Sequence, residues 1–316
     1  METTTLPRRP LGGSGIGVSV LSLGSWRTYE RISREAGVAV LTQARALDIN
    51  FLEIARYNDE TGKAPVPTGY SETVFGDLWR HLCWPREDFI IAEKLWWEFW
   101  PDQSAAQEID SSLNRTGLEY VDLLYSDPPP DRLSMEEVVA TMGELITAGK
   151  TRAWGIVNWP AEQLEQAGRI ALSQGVPAPC AAQLPYNLVQ RDWVESADMT
   201  NALDLCSASA VASYVLLGGV LTGKYARGEQ GRLSAGLGGR NADAGRLLVE
   251  PLTRLAAQLG VTPSSLALAF ALANSRVATI LFGATRPEQI TENSQVIKVA
   301  ASLTEAQFSA LCELGP

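Results

Sequence analysis

Eight short apolar runs, separated by stretches of helical periodicity, set the strongest limit on what this chain can fold into. They are VSVLSLGS (18–25), INFLEIA (49–55), DFIIAEKL (88–95), VDLLYSD (121–127), TRAWGIVNW (151–159), CAAQLPYN (180–187), AVASYVLL (210–217) and VATILFGA (277–284). Most lack a clean apolar–polar alternation, the pattern of parallel strands buried on both faces. Between them, REAGVAVLTQARALD (34–48), AAQEIDSSLNRTG (105–117) and MEEVVATMGELITAGK (135–150) carry apolar residues at helical spacing. The last two run into glycine, a common helix stop. A strand-to-strand spacing of roughly 30 residues fits βαβ units. Eight such units without a break in composition predict a TIM-type (β/α)8 barrel, one α/β domain over residues 1–316. An open doubly wound sheet would normally stop at fewer strands.

Two irregular insertions interrupt the pattern, YNDETGKAPVPTGY (57–70) after the second strand and ARGEQGRLSAGLGGRNADAG (226–245) after the seventh. In a barrel both belong to the carboxyl face, where active sites are built. A net charge of −10 and a pI near 4.8 argue against a nucleic-acid or anionic-membrane surface. The four cysteines, Cys83, Cys180, Cys206 and Cys312, are far apart, and His81 is the sole histidine, so no zinc site is expected. METTTLPRRP has no apolar stretch behind its arginines, and no run reaches the roughly 20 apolar residues of a membrane span. The cytoplasm is the expected location.

Two glycine-rich stretches look like phosphate loops and are not expected to act as such. GGVLTGKY (218–225) places Tyr225 where a nucleotide-triphosphate loop needs a magnesium-binding hydroxyl. GGSGIG (12–17) does not spell the dinucleotide fingerprint and precedes the first strand, which suits a hairpin turn. His81 lies in a helical stretch without a nearby nucleophile, and a packing or surface role is expected.

The carboxyl ends of the strands carry the chemistry: Gly24-Ser25-Trp26, Glu53, Lys94, Asp127, Asn158, Gln183 with Tyr186, and Tyr214. Lys94 closes an apolar strand, where burial disfavours a charge unless an anion partners it. Glu53 and Asp127 end neighbouring strands. Two readings are open: a rim salt bridge, or a lysine that tunes a tyrosine used as general acid. In KLWWEFWP (94–101), Trp96, Trp97, Phe99 and Trp100 either close the barrel top or wall a pocket for a bulky or aromatic substrate. Trp26 and Trp159 are candidates for the same wall. Pro128, Pro129 and Pro130 stiffen the loop after Asp127.

INFLEIARY, IIAEKL, YVDLLYSD, GIVNW, AAQLPYNLVQRD, GGVLTGKY and LFGATRPEQITEN resemble, in order, the motifs of the aldo-keto reductases. The resemblance spans roughly Leu11 to Ala310 and is closer to the branch with potassium-channel β-subunits, through LTGKY and GATRPEQITEN. It implies a (β/α)8 barrel that binds NADPH across its carboxyl face without a dinucleotide-binding loop. Carried over by position, it implies Asn158 and Gln183 at the nicotinamide carboxamide and Tyr214 stacked on the ring. Gly24, Ser25, Trp26 and Leu217 fall beside the cofactor, and Lys224 reaches its phosphates. Arg232, with Arg240 as the alternative, matches the 2′-phosphate; Thr285, Arg286, Gln289 and Asn293 surround that phosphate and the adenine. An arginine fork suits a phosphate dianion better than a ribose hydroxyl, which favours NADPH over NADH.

The resemblance is incomplete where the family keeps its catalytic Asp, Tyr, Lys and His. The lysine is Lys94, the aspartate falls on Glu53, and the histidine falls on Asp127. The tyrosine is Tyr57, four residues after Glu53 rather than the family's five, with Tyr70 as the alternative. A protonated Asp127 would polarise a carbonyl conjugated with C=C; an ionised one would favour a cationic C=N. The expected activity is NADPH-dependent reduction of a conjugated C=C or a C=N in a bulky or aromatic small molecule. The alternatives are an ordinary aldehyde or ketone reductase and, in another class, a cofactor-binding regulatory subunit or a redox-inactive, repurposed barrel.

Overall fold

The computed structural model describes residues 6–57, 64–229, 231 and 239–315. Strands β1 (Arg8–Pro10) and β2 (Gly17–Ser19) form an antiparallel hairpin ahead of the barrel. The barrel strands follow in chain order: β3 (Leu21–Gly24), β4 (Phe51–Glu53), β5 (Ile90–Leu95), β6 (Val121–Ser126), β7 (Thr151–Val157), β8 (Ala181–Pro185), β9 (Ser209–Ser213) and β10 (Val277–Phe282). Each pairs in parallel with the next, and β10 closes the ring on β3 through Ile280↔Leu21 and its neighbours. The chain is thus a (β/α)8 barrel, as its periodicity predicts.

Crossovers run through α1 (Arg34–Ala46), α2 (Tyr70–Leu82), α3 (Ala105–Thr116), α4 (Met135–Thr147), α5 (Ala161–Gln174), and the pair α6 (Asp192–Glu195) and α7 (Ala197–Cys206). Between β9 and β10 lie α8 (Arg240–Leu259) and α9 (Pro263–Ala273); α10 (Pro287–Ser294), α11 (Val296–Ser302) and α12 (Glu305–Cys312) follow β10. Local chemistry fixes several of these boundaries. Ser104 and Gln107 form a capping box at the start of α3, and Ser134 and Glu137 do so for α4. At the end of α3, Gly117 takes the left-handed conformation with φ 73°. Among the described residues no single helix is long and apolar enough to cross a membrane.

The first predicted strand proves to be two. Val18 and Ser19 belong to the hairpin, while Leu21–Gly24 enters the barrel. The division follows from where Val18 packs: with Leu11 and Ile16 it meets Phe51, Ala92, Leu123 and Ala181 inside the barrel. The hairpin therefore seals the amino end. Ser19 and Asn50 pin it there, the Ser19 N–H donating to Asn50 Oδ1 at 2.7 Å and the Asn50 N–H to Ser19 Oγ at 3.0 Å. Predicted strands 151–159 and 210–217 overshoot, because Asn158 and Tyr214 turn left-handed with φ 56° and 57°.

The hairpin turn requires glycine at position 12, where φ is 54° and a Cβ would lie 2.2 Å from the Cys180 carbonyl oxygen. Gly12→Ala combines backbone strain with that clash, and is expected to cost about 2 kcal/mol, roughly a 5 °C fall in the unfolding midpoint. Thermal denaturation followed by circular dichroism checks it.

Candidate functional site

The two-residue period of a strand selects which side chains enter the barrel. Phe51, Ala92 and Ala181 lie in the interior cluster, so Glu53, Lys94 and Gln183, two residues further along β4, β5 and β8, form the layer above. There Lys94 Nζ donates to Glu53 Oε2 at 2.9 Å and to the Tyr57 hydroxyl at 2.5 Å. The Tyr57 hydroxyl in turn donates to Glu53 Oε1 at 3.4 Å, and Gln183 Nε2 donates to Glu53 Oε2 at 3.2 Å. The Lys94 and Glu53 side chains are only 5% and 2% exposed, so each charge depends on the other.

This burial shapes the proton affinities. Burial opposes the charge on Lys94, but Glu53 and Tyr57 together outweigh it and hold the ammonium above its ordinary pKa. The Tyr57 phenol is pushed up, first by burial and then by Glu53, with Lys94 opposing. The four-residue spacing that separates Tyr57 from Glu53 does not keep its hydroxyl from the lysine. Tyr70 opens α2 and makes no hydrogen bond to Glu53 or Lys94.

Asp127 follows β6, two residues beyond the buried Tyr125, and its N–H donates to the Leu95 carbonyl at 2.9 Å. Its half-buried carboxyl is raised to about 6 by burial, with Lys94 opposing and Glu108 reinforcing. No ion pair reaches that carboxylate among the described residues.

Several expected cofactor residues have shapes suited to a ligand. Gln183 Oε1 and Ser25 Oγ are buried without a hydrogen-bond partner, an arrangement that a ligand amide or hydroxyl can complete. A Cβ on Gly24 would lie 3.3 Å from the Leu281 side chain, a tight fit at the end of β3. Asn158, Tyr214 and Leu217 share left-handed backbone where β7 and β9 end. A Cβ on Gly219 would lie 2.9 Å from Lys224 Nζ. Beyond β10, the Thr285 and Arg286 N–H groups donate to Gln289 Oε1 at 2.8 and 3.2 Å, and Asn293 is buried one turn later. Arg232 lies outside the described residues; Arg240 is exposed at the start of α8.

The aromatic residues divide. Trp26 and Trp96 are half-buried at the carboxyl face, and Trp96 meets Tyr57 edge-on at 5.6 Å. Trp97 and Trp159 are 5% and 0% exposed and belong to the core cluster between sheet and helices. Trp97 is turned inward by a left-handed backbone, φ 59°, and its indole N–H donates to Ser126 Oγ at 2.9 Å. Trp159 follows left-handed Asn158 and lies edge-on to Trp154 at 6.5 Å.

Sequence reasoning missed a second layer. Glu93 faces the helices, fully buried, and its Oε1 accepts from the Lys94 N–H at 2.8 Å. Burial first, and then Glu72, pushes Glu93 well above the carboxylate range. Tyr125 is buried below Asp127 with its hydroxyl unpartnered. The adjacent Glu93-Lys94 pair inside an apolar run was the available signal, because a strand sends successive side chains to opposite faces.

A parallel barrel whose carboxyl end gathers a lysine, a tyrosine and a carboxylate matches the Aldo/keto reductase family over residues 20–315, and the chain belongs to that family. Its relatives include a putative voltage-gated potassium channel subunit beta from Schizosaccharomyces pombe, 35% identical over 336 aligned positions covering 99% of this chain and 94% of that one. Probable voltage-gated potassium channel subunits beta from Oryza sativa subsp. japonica and Arabidopsis thaliana are 32% and 31% identical, each covering 93% of this chain and 92% of the relative.

Lys94→Met leaves Glu53 buried without its cation and is expected to destabilise the fold by about 3–5 kcal/mol, measured by chemical denaturation. Should the chain turn over a substrate with NADPH, Tyr57→Phe is expected to lower turnover about 100-fold or more while leaving any quenching of tryptophan fluorescence by NADPH as in the parent. Tyr70→Phe leaves turnover unchanged, and the reverse result would exchange the two tyrosines' roles.

Proposed function

We propose that this chain is an NADPH-dependent reductase acting on a polarised C=N or conjugated C=C in a bulky or aromatic small molecule. The observation that carries the reading is the Tyr57 hydroxyl, held by Lys94 Nζ at 2.5 Å beside the unpartnered amide oxygen of Gln183. NADPH, when bound, supplies the hydride. Gln183 and Asn158 suit its carboxamide, Tyr214 its ring, Lys224 its phosphates, and Arg286 with Arg232 the 2′-phosphate. For the conjugated carbonyl Tyr57 is the proton donor, and Lys94 stabilises the phenolate that donation leaves; a cationic C=N takes the hydride alone and needs no proton from Tyr57. Glu53 keeps Lys94 charged, and Trp26 and Trp96 offer flat apolar walls.

Asp127 selects the substrate. With its carboxyl at about 6, it is neutral near pH 5 and ionised near pH 8. The ionised form attracts a cationic C=N, and the neutral form donates to the oxygen of a conjugated carbonyl. At neutral pH the C=N branch is therefore favoured. With a permanently charged cyclic iminium, kcat/KM is expected to rise as pH increases through about 6 and then level off. An enone should show the opposite slope, and Asp127→Asn should flatten both profiles. A profile unchanged by Asp127→Asn removes the residue from substrate choice.

The printed names of the three relatives favour a second reading, a cofactor-binding subunit with little turnover. Saturable fluorescence quenching by NADPH is common to both readings. Single-turnover oxidation of the bound NADPH by an iminium or enone separates them, and its absence supports the subunit.

A further inference from the structure

Glu108 stands on the inner side of α3 and is 3% exposed, in a layer where a carboxylate is costly unless its lone pairs are engaged. Its two oxygens are spent on one loop: Oε1 accepts from the Trp96 N–H at 2.7 Å and Oε2 from the Trp97 N–H at 3.1 Å. A second loop reaches the same group. Arg56 Nη2 lies 3.7 Å from Glu108 Oε1, with the Arg56 side chain only 3% exposed. Arg56 also donates to Glu98 Oε2 at 2.7 Å and sets its guanidinium 5.0 Å from the Phe99 ring centre. Arg56 immediately precedes Tyr57, and Trp96 lies edge-on against the Tyr57 ring. One buried carboxylate on α3 therefore joins the segment that carries the phenol to the segment that carries its aromatic neighbour.

We propose that Glu108 is a positioning residue that fixes the Tyr57 hydroxyl over Lys94 by clasping the loops after β4 and β5 together through Arg56 and the Trp96 and Trp97 amides. This rests on Tyr57 as the proton donor. The charged groups acting on Glu108 are Arg56 from the loop after β4 and Glu72 from α2; those acting on Asp127 are Lys94 from β5 and Glu108 itself. Glu108→Gln keeps the volume but presents an amide where two N–H groups require two acceptors. Misplacing a reacting group by about an ångström costs on the order of 100-fold.

The test compares Glu108→Gln, Arg56→Ala and the double variant in the full chain, with the enone as substrate, because its reduction takes a proton as well as a hydride. The expected result is a kcat lower by about 10- to 100-fold in each single variant, with the NADPH dissociation constant within about threefold of the parent. The double variant should lose little more than either single one, because both act through one clasp. The pH inflection of Asp127 should fall in Glu108→Gln and not in Arg56→Ala, because only the first removes a nearby negative charge; a fall in both reads loosened packing around Asp127 and counts against the clasp. An unchanged kcat, a loss confined to NADPH affinity, or additive losses overturn the proposal. Amide hydrogen exchange needs no turnover and separates a failed clasp from a failed assignment of function. Faster exchange in Glu108→Gln at Trp96, Trp97 and the Arg56–Tyr57 segment together supports the clasp; faster exchange at Trp96 and Trp97 alone overturns it.

Discussion

Everything at the carboxyl end of this barrel depends on the buried pairing of Lys94 with Glu53. Neither charge would survive alone at that depth, since an isolated ion in an apolar interior gives up its proton state before it gives up its solvation. Together they form a fixed dipole in a nearly water-free layer. The pair is also what brings a phenol in from a loop: the Tyr57 hydroxyl meets the ammonium on one side and the carboxylate on the other. The extra methylene of Glu53 relative to aspartate lets its carboxylate serve Lys94, Tyr57 and Gln183 at once.

Much of this was legible in the chain before any coordinates. Parallel strands buried on both faces announce themselves as short unbroken apolar runs, so the barrel, its order and its carboxyl rim could be read directly. Lys94, closing an apolar run, stood out there as a charge that calls for an anionic partner. What escaped were features set by the sign of one backbone torsion. Left-handed turns at Trp97 and Asn158 redirect Trp97 and Trp159 into the core, and nothing in the local composition of KLWWEFWP or GIVNW signals that reversal. Glu108 was equally hidden. A carboxylate in an amphipathic helix ordinarily faces water, and only the loop amides folded against it explain its burial.

Belonging to a family and sharing its chemistry part company here. The closed parallel barrel agrees with the Aldo/keto reductase match over residues 20–315. On the proposed reading, Asp127 puts a carboxyl raised to about 6 where the family resemblance implies an imidazole. An imidazole can donate to an oxygen in either protonation state, given the right tautomer; a carboxyl donates only when neutral. The substitution therefore turns a constant donor into a conditional one, and the scaffold around it need not change for the preferred substrate to do so.

The hairpin that seals the amino end gives the barrel a single mouth. Leu11, Ile16 and Val18 pack from below into the cluster of Phe51, Ala92 and Ala181, so among the described residues the Gln183 and Glu53 layer opens toward the carboxyl rim. Two molecules sharing one doorway must queue. On the proposed reading, the one that lies deeper enters first and leaves last, and the order of binding becomes a property of the floor rather than of the site above it.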